Sequence, residues 1–222
     1  QSDPTVSNPA NAKYLGKAVQ LPNGIKFIFG WDPTGANQGR TGSLRYNCQG
    51  STGTPGNYSS LTTALANCPA GNQLGALIEA PECWDGKNLD SPDHRSHVAY
   101  ASYGTWGYLK CPSTHPYLVP QFTISAFYTI RTGDDLGLWS LSSDAMYPNL
   151  PRGSTLHFDY FEAWDVAGKD MWIQNCISRK LNCSGGDLGN GKQLRGASQP
   201  KYGWVNPNPR VPIPKGGMSG AM

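Results

Sequence analysis

The stretch Q-F-T-I-S-A-F-Y-T-I at residues 121–130 decides the fold class. Phe122, Ile124, Ala126 and Tyr128 alternate with Thr123, Ser125 and Phe127. A strand turns successive side chains to opposite faces, so this alternation predicts a strand with one apolar face. Residues 155–164 (T-L-H-F-D-Y-F-E-A-W) repeat the pattern. Thr155, His157, Asp159, Phe161 and Ala163 share one face; Leu156, Phe158, Tyr160, Glu162 and Trp164 share the other. His157 and Asp159 are thereby predicted side by side on one surface.

Shorter runs extend the reading. Residues 25–31 (I-K-F-I-F-G-W), 43–47 and 75–80 (G-A-L-I-E-A) read as strands, and residues 98–103 and 136–142 as further candidates. Residues 59–67 (S-S-L-T-T-A-L-A-N) predict a short helix with serine as its cap. Residues 166–180 predict a second, capped by Asp165 and striped by Ala167, Met171, Ile173 and Ile177. Residues 81–97 show no period and read as a loop. Many short strands, few helices and long loops predict a mainly β, antiparallel, sandwich-like domain. The expected organisation is an extended leader at 1–13, a β-rich domain at 14–183 and an irregular tail at 184–222.

Composition narrows the class. Of 222 residues, 27 are Gly and 18 Pro, and 15% are charged, against a usual ~25%. Seven Trp, eleven Tyr and six Phe argue against disorder of the body. No apolar run approaches the ~20 residues of a membrane span, and no heptad pattern or nucleic-acid motif occurs. Net charge is +3, unevenly spread. From Cys176 onward seven basic residues face one acid, Asp187. Such a tail suits anionic glycans, phosphates or membrane surfaces; a solvated tail is the plainer reading.

Six cysteines form an even set: Cys48, Cys68, Cys83, Cys111, Cys176 and Cys183. None lies in C-x-x-C, so no zinc ribbon or thioredoxin-like site is indicated. An oxidising compartment and a secreted protein are expected, periplasmic in a Gram-negative host. Neighbour pairing, 48–68, 83–111 and 176–183, is the simplest of the open connectivities. Gln1 fits a mature N-terminus left by processing. Asn57-Tyr-Ser and Asn182-Cys-Ser are glycosylation sequons in a eukaryotic host.

The chemistry-bearing residues cluster. The four histidines are His94, His97, His115 and His157. Carboxylates gather at Glu79, Glu82, Asp85, Asp90 and Asp93, and again at Asp159, Glu162, Asp165 and Asp170. A Cys83–Cys111 bridge brings the segments of His94, His97 and His115 together. Histidine beside carboxylate suits acid–base catalysis or metal binding. Three readings follow. The first is a Zn or Cu site of His94, His97 and His115, joined by His157 or Asp159. The second is a metal-free acid–base site: Asp93 orients His94 or His97, and Tyr100, Tyr103 or His115 is the proton donor. Lys87 or Arg95 then neutralises a substrate carboxylate or phosphate, as elimination or hydrolysis of an acidic polysaccharide requires. Asp90 and Asp93 are an alternative carboxylate pair for glycoside hydrolysis. In the third reading Asp, Asn and Ser simply tie the loop to itself. A serine-nucleophile site is disfavoured, since no G-x-S-x-G occurs. Trp84, Trp106 and Trp139 are candidate sugar platforms; Trp164 and Trp172 read as packing residues.

Three segments carry a family resemblance: E-C-W-D-G-K-N-L-D-S-P-D-H-R-S-H-V-A-Y at 82–100, C-P-S-T-H-P-Y-L-V-P at 111–120, and H-F-D-Y-F-E-A-W-D at 157–165. Together with L-P-N-G-I-K-F-I-F-G, the Cys48 strand and the Cys68-Pro turn, they resemble the secreted domain-of-unknown-function family nineteen ninety-six of filamentous fungi and bacteria, over residues 14–178. The resemblance implies secretion, disulfides and a β-rich fold, and implies no reaction. It also implies an earlier H-x-H segment, whereas this chain has no histidine before His94. The expectation is a shorter variant, or a processed segment that returns as a second chain. The functional expectation is action on an extracellular glycan or cell-wall polymer, by a polysaccharide lyase or glycoside hydrolase chemistry. A non-catalytic adhesion or glycan-binding module and a Zn- or Cu-binding protein are the alternatives.

Overall fold

The structure, a computed structural model, describes residues 8–35, 43–104, 107–177, 179 and 190–191. The strands in chain order are β1 (Lys17–Ala18), β2 (Lys26–Gly30), β3 (Leu44–Gln49), β4 (Asn57–Tyr58), β5 (Gln73–Glu79), β6 (Cys83–Trp84), β7 (Val98–Ala99), β8 (Ser102–Tyr103), β9 (Leu109–Lys110), β10 (Tyr117–Leu118), β11 (Thr123–Thr129) and β12 (His157–Phe161). The helices are α1 (Leu61–Ala66) and α2 (Val166–Trp172). The protein is mainly β, as its alternating segments predict.

One layer is an antiparallel sheet in the order β11-β5-β3-β4. Its register lines up Ile124, Ile78 and Leu44 in one row and Ala126, Ala76 and Tyr46 in the next. The second layer is the antiparallel pair β12-β2, with Tyr160 opposite Phe27 and Phe158 opposite Phe29. Phe122 joins the layers: its ring centroid lies 6.1 Å from Phe29 and 4.6 Å from Tyr160. This aromatic seam, with Ile25, Leu74, Ile78 and Leu156, is the main core. Burying it is the chief stabilising term, because apolar area leaves water.

A third, small sheet in the order β1-β10-β6-β7 flanks the sandwich and holds a second cluster, Cys83, Ala101, Cys111 and Leu118. The bridges Cys48–Cys68 and Cys83–Cys111 are present. Cys176 is disulfide-bonded as well, and the expected partner, Cys183, lies outside the described residues. So do Trp106, the second sequon and, apart from Asn190 and Gly191, the expected tail. Asn57 of the first sequon is exposed on the edge strand β4. Residues 8–13 of the expected leader form turns over the Asn8 and Asn11 side chains.

Three expectations are corrected. Residues 136–142 are not a strand. Leu136–Leu138 and Ser142–Met146 are single 3-10 turns, because Asp135 accepts from the Gly137 amide and Asp144 from the Leu141 amide. Such local caps satisfy the backbone without a ladder. The second helix is α for only seven residues and then widens to a π turn at Ile173–Ile177. Its buried residue is Lys169, while Ala167 is exposed. Trp164 and Trp172 do not enter the core; they are exposed and pack on each other at 5.9 Å.

Gly30 fixes the place where the layers meet. Its φ is +98°, and a Cβ there would stand 2.7 Å from the Leu156 carbonyl oxygen and 2.5 Å from Ile78 Cδ1. Gly30→Ala is expected to cost about 2–3 kcal/mol in denaturant unfolding, from positive φ plus overpacking. Gly24→Ala is the control, with φ +76° and nothing within 4 Å. It should cost about 1 kcal/mol, since only the backbone term acts.

Candidate functional site

The histidine-rich segment is the connection between β6 and β7, which pair as Cys83 with Ala99 and Trp84 with Val98. Residues 85–97 therefore leave and rejoin the same short hairpin. The excursion folds onto the free edge of β2. The Lys26 amide donates to Leu89 O at 2.9 Å, and the Ile28 amide to His94 O at 2.8 Å. His97 Nε2 meets Lys26 O at 3.0 Å. Side chain and loop backbone thus complete the edge that β12 leaves unpaired on the other side.

Side chains tie the loop internally. Asp85 accepts from the Lys87 and Asn88 amides at 2.8 and 3.0 Å, and Trp84 Nε1 donates to Asn88 O at 2.7 Å. Asp93 Oδ1 accepts from the Arg95 and Ser96 amides and from the Ser96 hydroxyl, at 3.1, 2.9 and 2.9 Å. Ser91 Oγ lies 2.7 Å from Asp93 Oδ1 and 2.8 Å from His97 Nδ1. Burial alone would raise the Asp93 carboxyl, but the amide and hydroxyl donors outweigh it and hold it far below the usual range.

Hydrogen-bond chemistry sorts the four histidines. A carbonyl only accepts, so a ring nitrogen facing one must carry the proton. His97 therefore bears a proton on Nε2, and its Nδ1 lies 2.8 Å from the Ser91 hydroxyl oxygen, whose proton goes to Asp93; burial pushes its basicity down, which the Lys26 carbonyl partly opposes. His115 donates from Nε2 to Ser96 O at 2.9 Å, leaving Nδ1 to accept from Thr114 at 2.9 Å. Both nitrogens of both rings are occupied by the fold. His157 donates from Nδ1 to Thr155 O at 2.9 Å, and its Nε2 has no partner among the described residues. His94 bonds Asp90 Oδ1 through Nδ1 at 2.7 Å, and its Nε2 has no partner among the described residues. His94 is also the one described non-glycine residue at positive φ, 54°.

The arrangement distributes the expected site. His94, His97, His115, Asp90 and Asp93 do come together in and against one loop. His157 does not join them, because β2 separates β12 from the loop. Among the described residues no three His, Cys, Asp or Glu side chains are grouped to hold a metal ion. Tyr100 donates to Glu79 O at 2.8 Å, and Lys87 is exposed. Tyr103, the alternative proton donor, is exposed on β8. Trp84 is fixed by Asn88 and packs on Tyr117 at 5.9 Å. Arg95 is buried; Nη2 donates to Trp31 O at 2.9 Å, and Nη1 has no hydrogen-bond partner among the described residues. A cleft of about 570 Å³ beside the loop is lined by Asp93, Arg95, Ser96 and His115, with Asp32–Thr34 opposite.

Two residues escaped sequence reasoning. Lys26 pairs with Asp90 Oδ2 at 3.0 Å. Its signal was the lone cation in the I-K-F-I-F strand, whose period puts it on the solvent side of Phe27 and Phe29. Ser91, in the loop-forming D-S-P-D run, is set by the fold against His97. The His94 hydrogen bond, then Lys26, hold the Asp90 carboxyl down at about 2. Asp85, Asp90 and Asp93 are all shifted downward. No carboxyl of this loop is thus prepared as a general acid, which needs a raised pKa.

A disulfide-stapled β protein, with its titratable groups gathered in one hairpin loop over a strand edge, is the class that fold and site define. The chain belongs to the family described as Domain of unknown function (DUF1996), whose profile matches residues 6–164. No curated protein and no solved structure matches the chain. Among the described residues no helix is long and apolar enough to cross a membrane.

Proposed function

We propose that this is a secreted extracellular protein that acts on a polysaccharide or cell-wall polymer, with His94 as its acid–base group. The carrying observation is the state of His94. It stands in the left-handed region, where a non-glycine residue costs of order 1–3 kcal/mol. It is clamped by Asp90, and its side chain is 49% exposed with Nε2 open. Asp90 orients the ring through Nδ1, and the His94 hydrogen bond, then Lys26, keeps Asp90 ionised. Arg95, in the lining of the neighbouring cleft, supplies a positive charge toward an acidic substrate group. Two disulfide bridges, which persist in oxidising compartments, support the extracellular placement.

The downward-shifted carboxylates favour elimination from an acidic polysaccharide over two-carboxylate hydrolysis. In elimination His94 Nε2 takes the proton next to the substrate carboxylate. The C–H electron pair becomes the new C=C bond, and the glycosidic C–O bond breaks. The leaving oxygen takes a proton from water.

The test is release of soluble and unsaturated sugars from polygalacturonate, alginate, β-glucan, chitin and peptidoglycan. His94→Asn keeps a residue that tolerates positive φ and removes the base. It should reduce turnover by ~10²–10⁴-fold, and Asp90→Asn should reduce it less. Release by His94→Asn at the wild-type rate, or no release from any polymer, overturns the reading. The second outcome, with retention of the chain on an insoluble polymer, leaves the binding-module alternative. The closed hydrogen bonding of His97 and His115 favours that alternative.

A further inference from the structure

Away from the loop, the two 3-10 turns form a strap over the open end of the sandwich. It is tied down at several points. Arg152 Nη1 donates to Trp139 O at 3.0 Å and also meets the Gly137 carbonyl. Asp144 accepts from the Gly153 amide at 2.7 Å and from the Thr155 hydroxyl at 2.6 Å. Tyr46 donates to Gly153 O at 2.5 Å. These bonds hold the strap without filling the space beneath it. A cavity of about 500 Å³ remains, within the range of small-molecule sites.

Its walls combine apolar and aromatic side chains, Leu74, Ala76 and Ala126 from the sheet with Tyr128, Trp139 and Phe158, and the strap adds Ser140, Ser142 and Ser143. Tyr128 and Trp139 meet edge to face, centroids 6.5 Å apart at 75°. His157 also lines the cavity. Its Nδ1–H is spent on Thr155 O, and Nε2, with no partner among the described residues, is the ring's remaining acceptor. A pocket with aromatic walls and one oriented acceptor selects a ring that carries a hydrogen-bond donor.

We propose that this cavity binds a small aromatic alcohol, its ring against Tyr128 and Trp139 and its hydroxyl donating to His157 Nε2. The occupant is a phenol rather than a sugar, because the Tyr46 and Ser143 hydroxyls are spent on Gly153 and Thr155, which leaves two aromatic faces and fewer free polar partners than a sugar needs. The inference does not depend on the acid–base reading of His94, which lies across β2.

The experiment titrates the full chain with 2-naphthol and with naphthalene, followed by ligand-observed NMR. 2-Naphthol should bind about tenfold more tightly, the value of one net hydrogen bond. His157→Phe should bring 2-naphthol to the affinity of naphthalene. Ala126→Phe fills the cavity and should abolish both. Trp139→Ala, on the strap and outside the sheet, should weaken both and guards against misfolding of the first filling variant. The proposal is overturned by absence of 2-naphthol binding, by equal binding of the two probes to the wild type, or by a preference that survives His157→Phe. Binding unchanged in both Trp139→Ala and a folded Ala126→Phe also overturns it.

Discussion

Replacing Lys169 by methionine is expected to lower the unfolding free energy by about 3–5 kcal/mol, read from the denaturant midpoint at constant slope. Lys169 and Glu162 side chains are 6% and 2% exposed, and Nζ lies 2.9 Å from Oε1. Nζ also donates to Leu21 O at 2.8 Å and to Asn23 Oδ1. Glu162 Oε2 accepts from the Gly24 amide. The pair thus ties α2 to the turn before β2. Methionine fills the space of the stem and leaves a buried carboxylate facing a carbonyl oxygen. Glu162→Gln combined with Lys169→Met removes both charges and should recover most of the loss, because the pair's net value over neutral packing is small. The two singles and the double form a mutant cycle; strict additivity would refute the pair as a unit.

The pH dependence of this pair has a definite sign. Burial would raise the Glu162 carboxyl, but the Gly24 amide and then Lys169 hold it below its ordinary 4.5. A depressed acid contributes stability that is present above the unfolded value and lost as pH falls through the folded one. The wild type should therefore lose this contribution below about pH 4.5. In Lys169→Met the carboxyl is buried without its cation, so acid protonation relieves it. The stability gap between variant and wild type should narrow on acidification.

The sequence shows the sandwich because its strands bury one face. In β2, β11 and β12 polar and apolar residues alternate, and the aromatic seam of Phe27, Phe29, Phe122, Phe158 and Tyr160 follows from that period. The two described disulfides follow from neighbour pairing for the same local reason. What stayed hidden depends on contacts distant in sequence. Residues 136–142 look strand-like by apolar content, but Asp135 and Asp144 close them into turns. Lys169 fails an apolar-stripe search because it is charged, although Glu162, directly after β12 and in phase with its inward face, is its signal. The histidines were legible as a cluster. Their nitrogens were not, since the partners are the carbonyls of Lys26, Ser96 and Thr155, and every residue has a carbonyl. Nor does alternation say which edge of β2 the 85–97 loop takes, and that choice alone separates His157 from His94.

His97→Leu is expected to cost about 2–3 kcal/mol, whereas His94→Asn should change stability by less than about 0.5 kcal/mol. The two residues are three apart in one loop, and environment alone separates them. His97 is 1% exposed, its ring edge-on to Phe27 at 6.3 Å. Leucine orphans the Lys26 carbonyl, a buried loss of ~1–3 kcal/mol, and removes the ring packed against Phe27, whereas the Ser91 hydroxyl keeps Asp93 and the Arg95 amide. His94 faces solvent, and asparagine accepts its positive φ at small cost. Acid sharpens the contrast. Burial lowers the His97 pKa from its ordinary 6.5, so below that value the unfolded chain takes a proton that the native chain refuses. Stability of the wild type should then rise with pH through this window, and His97→Leu should flatten the slope. A flat wild-type profile between pH 5 and 7 would refute the buried neutral ring. Equal losses for both substitutions would assign the whole loop to scaffolding, and the catalytic reading of His94 would fall with it. A large loss at His97 alone, joined to loss of turnover at His94 alone, divides one motif into a residue that closes the edge of β2 and a residue held out to react.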